Sequence, residues 1–210
     1  MNIVYMGTPD FAVPCLKALI DSDNKVTGVF TQPDKPKGRG YKLTPPPVKV
    51  LAEENNIPVF QPTSLKKGED AENALKTLKE LSPDLIVVVA HGKILPNEVL
   101  DVPKHYCMNV HASLLPKYRG AGPIQWSVLN GEKETGVTTM LMAEGLDTGD
   151  MLMKKSTEIG ENETASELHD RLSLIGAELL IETIDAIKQG NVTPVKQNDD
   201  ESSYSPMLTK

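Results

Sequence analysis

The hydrophobic pattern begins with an apolar run over residues 2–6, closed by the turn Gly7-Thr8-Pro9-Asp10. A helical spacing then starts at Phe11, with Val13, Leu16, Leu19 and Ile20 on one side. Residues 25–30 read as a second strand. Residues 31–47 read as a loop rich in Pro, Gly and Lys, leading into a helix whose first turn holds prolines. A short strand over 58–60 and a polar-faced helix over 70–81 follow. The unbroken β-branched run at 85–90 has the composition of a central strand covered on both faces. Further strands are predicted at 107–111, 136–142 and 151–159, with a short helix over 123–129. The last helix is the best signalled. Thr164 and Glu167 form a capping box, Leu168, Leu172, Ile175 and Leu179 share a face, and Gly190 ends it.

Strands alternating with helices imply α/β architecture: a doubly wound, mostly parallel Rossmann-like sheet, mixed at one edge, with helices on both faces. At 210 residues the chain has the length of one large domain, expected over 1–190. Residues 191–210 are polar and turn-rich and read as a linker or tail. Hydrophobic residues make up 39%, which excludes the disordered class. The longest apolar runs are too short to span a bilayer, and residues 1–7 have no signal-peptide pattern, so a cytoplasmic protein with no membrane partner is expected. Cys15 and Cys107 fit no metal or redox spacing and read as buried thiols.

In a doubly wound sheet, ligands bind beyond the carboxyl ends of the strands. Three segments should arrive there: Gly7 to Asp10, Ala90-His91-Gly92-Lys93-Ile94-Leu95-Pro96, and Asn109-Val110-His111-Ala112-Ser113-Leu114-Leu115-Pro116. Asn109 and His111 are two apart on a strand, so both project from the same face and offer donors to one point. Taken singly, a strand-end histidine is more often structural, and Asp147 before Gly149 has the look of a turn aspartate.

Context lifts them. Asn109 through Pro116, then Arg119-Gly120-Ala121-Gly122-Pro123-Ile124, then Gly145-Leu146-Asp147-Thr148-Gly149-Asp150 resembles the folate-dependent formyltransferases. Within that family, Met6 through Pro14 and Thr31-Gln32-Pro33-Asp34-Lys35-Pro36-Lys37-Gly38-Arg39-Gly40 are similar to the methionyl-tRNA branch. The resemblance runs from Asn2 to about Ile187, with His91 standing where relatives often place an aromatic. It implies formyl transfer from 10-formyltetrahydrofolate to the α-amine of initiator methionyl-tRNA, by a monomer with no metal. It also implies a C-terminal barrel domain, to which 191–210 would lead and which this chain is expected to lack. Asn109 and His111 would donate to the oxyanion, and Asp147 would accept a proton and hold His111 cationic. Folate would lie along Ser113, Leu114, Leu115 and Pro116 and the loop of Lys93, Ile94 and Leu95, although the apolar members of both are equally well explained as core.

The net charge of −7 argues against whole-surface affinity for nucleic acid. One stretch differs. Residues 31–49 hold five cations, Lys35, Lys37, Arg39, Lys42 and Lys49, against one anion, Asp34, giving +4 locally. Such runs are usually solvated faces. By resemblance, Lys37, Arg39 and Lys42 would contact the tRNA, with Arg39 foremost because its planar fork suits phosphate or a base edge. The competing readings are a formyltransferase of the same fold acting on an amino sugar or nucleotide amine, a nicotinamide oxidoreductase, and a non-catalytic RNA-binding module. The turn at Gly7 lacks the G-x-G-x-x-G spacing of the second, and the acidic balance disfavours the third. Trp126 is expected in the core, His105 in a loop and His169 at the surface.

Overall fold

In the computed structural model, which describes residues 1–37 and 41–209, the first apolar run forms β1 (Asn2–Gly7), buried from Ile3 to Met6. A 3-10 turn over Asp10–Ala12 precedes α1 (Val13–Asp21), so the helix starts two residues later than its hydrophobic spacing indicates. Pro14 accounts for the tolerance of proline there, since a first-turn N–H has no helical partner to lose. β2 (Lys25–Phe30), β3 (Lys35–Lys37), β4 (Lys42–Thr44), α2 (Pro47–Glu54) and β5 (Val59–Phe60) follow. After them come α3 (Glu69–Leu81), β6 (Leu85–Val89), α4 (Asn97–Leu100) and β7 (Tyr106–His111). The rest is α5 (Pro123–Leu129), β8 (Glu134–Leu141), β9 (Met151–Glu158) and α6 (Ala165–Lys188).

The main sheet has the order β5-β2-β1-β6-β7-β8-β9. β1 pairs in parallel with β2 and β6, and β2 with β5, whereas β8 and β9 are antiparallel. The expected mostly parallel sheet, mixed at one edge, is therefore present. The chain divides into two compact units inside β7, Met1–Met108 and Asn109–Lys210.

In the first unit β6 is buried at all five positions, as its unbroken apolar run requires. Cys15, Leu16 and Leu19 of α1, Val48 and Ala52 of α2 and Leu78 of α3 are buried as well. Phe30 and Phe60 stack with ring centroids 5.0 Å apart. The predicted loop over 31–47 contains a small antiparallel hairpin, with Lys35 opposite Thr44 and Lys37 opposite Lys42. Its strands are too short and too polar to show a period of two.

In the second unit α6 is the main cover of the strands. Thr164 accepts from the Glu167 amide at 3.3 Å and Glu167 Oε2 accepts from the Thr164 amide at 2.8 Å, completing the capping box. Leu168, Leu172, Leu179, Leu180 and Ile184 are buried, each contributing roughly 1.5–3 kcal/mol by leaving water. Ile175 is only half-buried. The helix ends before Gly190, whose φ of 69° suits a residue without a Cβ. Trp126 is not a core residue: it is half-buried and its Nε1 donates to Pro206 O at 2.8 Å. Residues 191–209, the polar stretch, lie along the second unit. Met151 and Val195 exchange backbone hydrogen bonds at 2.8 and 2.9 Å, and Gln197 and Ser205 are buried. Both cysteines are buried, and burial pushes the Cys15 thiol up to about 12. His105 is an exposed loop residue, and His169 is half-buried beside Asp170 at 2.9 Å.

Candidate active site

β7 presents Asn109 and His111 on one face, and the turn after β8 brings Asp147 to them. Asn109 Nδ2 lies 3.5 Å from Asp147 Oδ1, and His111 Nδ1 lies 3.7 Å from Asp147 Oδ2. His111 is 6% exposed. Its Nε2 is 2.8 Å from Tyr118 O, a carbonyl that can only accept, so the proton of a neutral ring sits on Nε2. Nδ1 then faces a carboxylate, and a ring protonated on both nitrogens would donate to both neighbours. The Asp147 carboxylate has one short, committed bond, from the Gly120 amide at 2.9 Å. The contacts to Asn109 and His111 are longer than a normal hydrogen bond, so both donors can turn to an oxygen placed between them.

Several groups in this arrangement leave little trace in the sequence. The Tyr118 carbonyl and the Gly120 amide are backbone groups, indicated only by the Arg119-Gly120 motif beside them. Gln197 donates to Asp147 O at 2.8 Å and Gly149 O at 2.7 Å from a stretch with no apolar pattern. Gly149 is required by close approach: a Cβ there would lie 1.9 Å from Leu141 O. Gly149→Ala is accordingly expected to destabilise the fold by about 1–3 kcal/mol, the usual scale of overpacking, and to displace the Asp147 turn. Urea unfolding checks this; an unchanged midpoint would show that the turn relaxes freely.

The second unit's proposed folate segment is largely engaged within the fold. Leu115 is fully buried; its amide donates to Thr138 Oγ1 at 3.1 Å, and its carbonyl accepts from Lys154 Nζ. Ser113 O accepts from Thr138 Oγ1 at 2.7 Å, and Ser113 Oγ donates to Lys117 O at 2.6 Å. Leu114 and Pro116 are half-buried. Leu115 and the Ser113 carbonyl are thus tied to β8 and β9 by Thr138 and Lys154.

In the first unit, Lys93 Nζ donates to Pro62 O, Leu95 is buried and Ile94 is exposed. The loop is fixed from behind, because Thr8 Oγ1 and Gln32 Nε2 donate to His91 O at 3.1 and 2.9 Å. His91 itself is 2% exposed, and neither ring nitrogen has a hydrogen-bond partner among the described residues. Burial and the charge of Lys93 lower its pKa to about 4. In the basic stretch, Lys49 is paired inward: its Nζ reaches Asp34 at 3.0 and 3.1 Å and Gln61 at 3.1 Å. Hydrogen bonds from Gln61 and Lys49 hold the Asp34 carboxyl below its usual range. Lys35 and Lys42 are exposed, and Arg39 lies outside the described residues. Among the described residues no three His, Cys, Asp or Glu side chains gather as a metal site, and no helix is long and apolar enough to cross a membrane.

The family model described as formyl transferase matches residues 1–184. The chain is 59% identical over 210 residues to the methionyl-tRNA formyltransferase of Alkaliphilus oremlandii, covering 100% of this chain and 66% of that protein. It is 56% identical over 210 residues to the protein of the same name from Citrifermentans bemidjiense, covering 100% of this chain and 65% of that one. The chain thus spans about two-thirds of the length of these relatives. Among solved structures, a sugar 3N-formyl transferase crystallised with dTDP and 5-N-formyl-THF superposes with a TM-score of 0.74 at 23% identity, over 98% of this chain and 69% of that one. That likeness establishes the fold.

Proposed function

Because the chain belongs to the formyl transferase family, we propose that it carries the catalytic site for transfer of a formyl group from 10-formyltetrahydrofolate to the α-amino group of methionyl-tRNA, in the cytoplasm. The observation that carries this reading is the meeting of Asn109, His111 and Asp147 at the end of β7. An amine attacking a formyl carbon builds negative charge on the formyl oxygen. Asn109 Nδ2 and, with the ring protonated on both nitrogens as the Asp147 carboxylate favours, His111 Nδ1 turn from Asp147 to that oxygen, and donors fixed before the reaction lower its barrier without reorganisation. Asp147, anchored by the Gly120 amide, keeps a free lone pair to take the proton that the attacking nitrogen sheds, directly or through one water. The tetrahedral intermediate then collapses by breaking the bond from the formyl carbon to the folate nitrogen, which receives that proton as it leaves. No covalent enzyme intermediate is required.

Ile94 is exposed on the Lys93–Leu95 loop, so its side chain is free to meet the flat face of a folate ring, and the peptide groups of that loop can meet its edge. Lys37, Arg39 and Lys42 contact the tRNA. The assay is formyl transfer from 10-formyltetrahydrofolate to methionyl-tRNA, with uncharged tRNA, free methionine and an amino sugar nucleotide as alternative acceptors. Transfer to the amino sugar alone would overturn the acceptor assignment and leave the chemistry standing. Arg39→Ala is expected to raise KM for methionyl-tRNA roughly 10-fold or more, the scale of one charge-assisted hydrogen bond, with folate affinity unchanged. Equal losses on both substrates would point to a folding defect instead.

A further inference from the structure

We infer that Gln197 is a positioning residue for the reaction, a clamp that fixes the Asp147 turn and the Arg119-Gly120 segment to one another. The residue is 4% exposed, and both polar atoms of its carboxamide are hydrogen-bonded. Nε2 donates to the carbonyls of Asp147 at 2.8 Å and Gly149 at 2.7 Å, and Oε1 accepts from Arg119 Nε at 2.9 Å. Asp147 needs such a hold, because its φ of 52° lies in the left-handed region, which a non-glycine residue keeps only when its surroundings impose it. Two carbonyls on either side of Thr148 gripped by one NH2 group supply that constraint.

The other end of the clamp bears on the same carboxylate. Arg119 precedes Gly120, whose amide is the short donor to Asp147 Oδ2 at 2.9 Å. The Arg119 backbone is itself held by this C-terminal stretch: its amide donates to Ser203 O at 2.9 Å, and its carbonyl accepts from the Ser205 amide at 2.7 Å. Its guanidinium also meets Asp199 at 2.8 Å. The Ser205 hydroxyl donates to Tyr118 O at 3.2 Å, the carbonyl that orients the His111 ring. Both the backbone of Asp147 and the amide that aims its carboxylate therefore refer to Gln197 and its neighbours, which touch none of the reacting atoms.

The inference rests on the role proposed above for Asp147. The test is Gln197→Glu in the full-length protein. This change keeps shape and the bond to Arg119 but sets a carboxylate oxygen against two carbonyls. A misplacement of about 1 Å can cost about 100-fold in rate, so kcat is expected to fall roughly 10- to 100-fold, with KM for folate and for methionyl-tRNA nearly unchanged. Gln197→Met, which removes the donors without adding charge, should show the same split. A folded variant of either kind with wild-type kcat overturns the clamp. So does failure of both to fold while Asp147→Asn folds, which would make Gln197 a plain structural residue. Asp147→Asn run alongside separates the two readings. Full turnover in that variant removes Asp147 from the reaction, whereas an inactive Asp147→Asn beside an unimpaired Gln197→Glu overturns the clamp alone.

Discussion

Asn109→Ala is expected to lower the rate constant for formyl transfer roughly 100- to 1000-fold, the scale of removing one donor from an oxyanion site. Folate affinity should stay nearly unchanged, because the charge that Asn109 is proposed to meet exists only near the transition state. The amide is well suited to this role. It lies 3.5 Å from Asp147, too far for a strong bond in the resting site, so little is lost when it turns to a ligand oxygen. His111→Ala should be at least as damaging, since it also strips the Tyr118 carbonyl of the shorter of its two donors and leaves only the Ser205 hydroxyl. Single-turnover transfer rates and an equilibrium folate titration, measured on the same preparations, check both variants. Equal losses in rate and in folate affinity would mean that Asn109 binds the ground state, and the oxyanion role would be lost.

The second large effect concerns His91, and it appears in stability. The folded chain holds this imidazole at a pKa of about 4, against 6.5 for an ordinary histidine, mainly because it is buried. Between those values the unfolded chain binds a proton that the folded chain does not. Stability is therefore complete above pH 6.5, falls as the pH drops through that window, and stops falling below the folded pKa. The loss at the acid end is about 3 kcal/mol, from 1.36 kcal/mol per pKa unit. His91→Phe should remove this dependence. It should also stabilise the chain at neutral pH by about 1–3 kcal/mol, the cost of a buried polar group that, as here among the described residues, finds no partner. Urea unfolding at pH 7 and at pH 4.5 is the check. An acid loss of the same size in both proteins would assign it to other groups.

Local signals made the elements legible. The Thr164–Glu167 capping box marks the start of α6, and the β-branched run at β6 reads as a strand because no polar residue interrupts it. The β3–β4 hairpin was not legible: its strands are three residues each and include Pro36, so no alternation can develop. α4, a single turn over four residues, is likewise too short to show a period. Trp126 departs from the expected core position because apolar character alone does not say that an indole N–H will seek the Pro206 carbonyl. Within the site, the strand period places Asn109 and His111 together. Asp147 joins them from 36 residues beyond His111, a distance no local period spans, and only the motif resemblance pointed to it. His91 is buried with neither ring nitrogen partnered among the described residues, and nothing near it in sequence announces this.

The inward pairing of Lys49 has a consequence for ion release. A protein that neutralises phosphates frees the cations condensed on the nucleic acid, and the logarithm of its binding constant falls with the logarithm of salt in proportion to the contacts made. Five positive side chains stand between residues 31 and 49, but Lys49 is spent on Asp34, with its side chain 18% exposed. Lys35, Lys37, Arg39 and Lys42 are what remain, so this segment can release about four counterions at most. A plot of tRNA affinity against salt should have a slope no steeper than about −3.6 on a duplex or −2.8 on a single strand from this segment. Any steeper slope measures cations elsewhere in the protein.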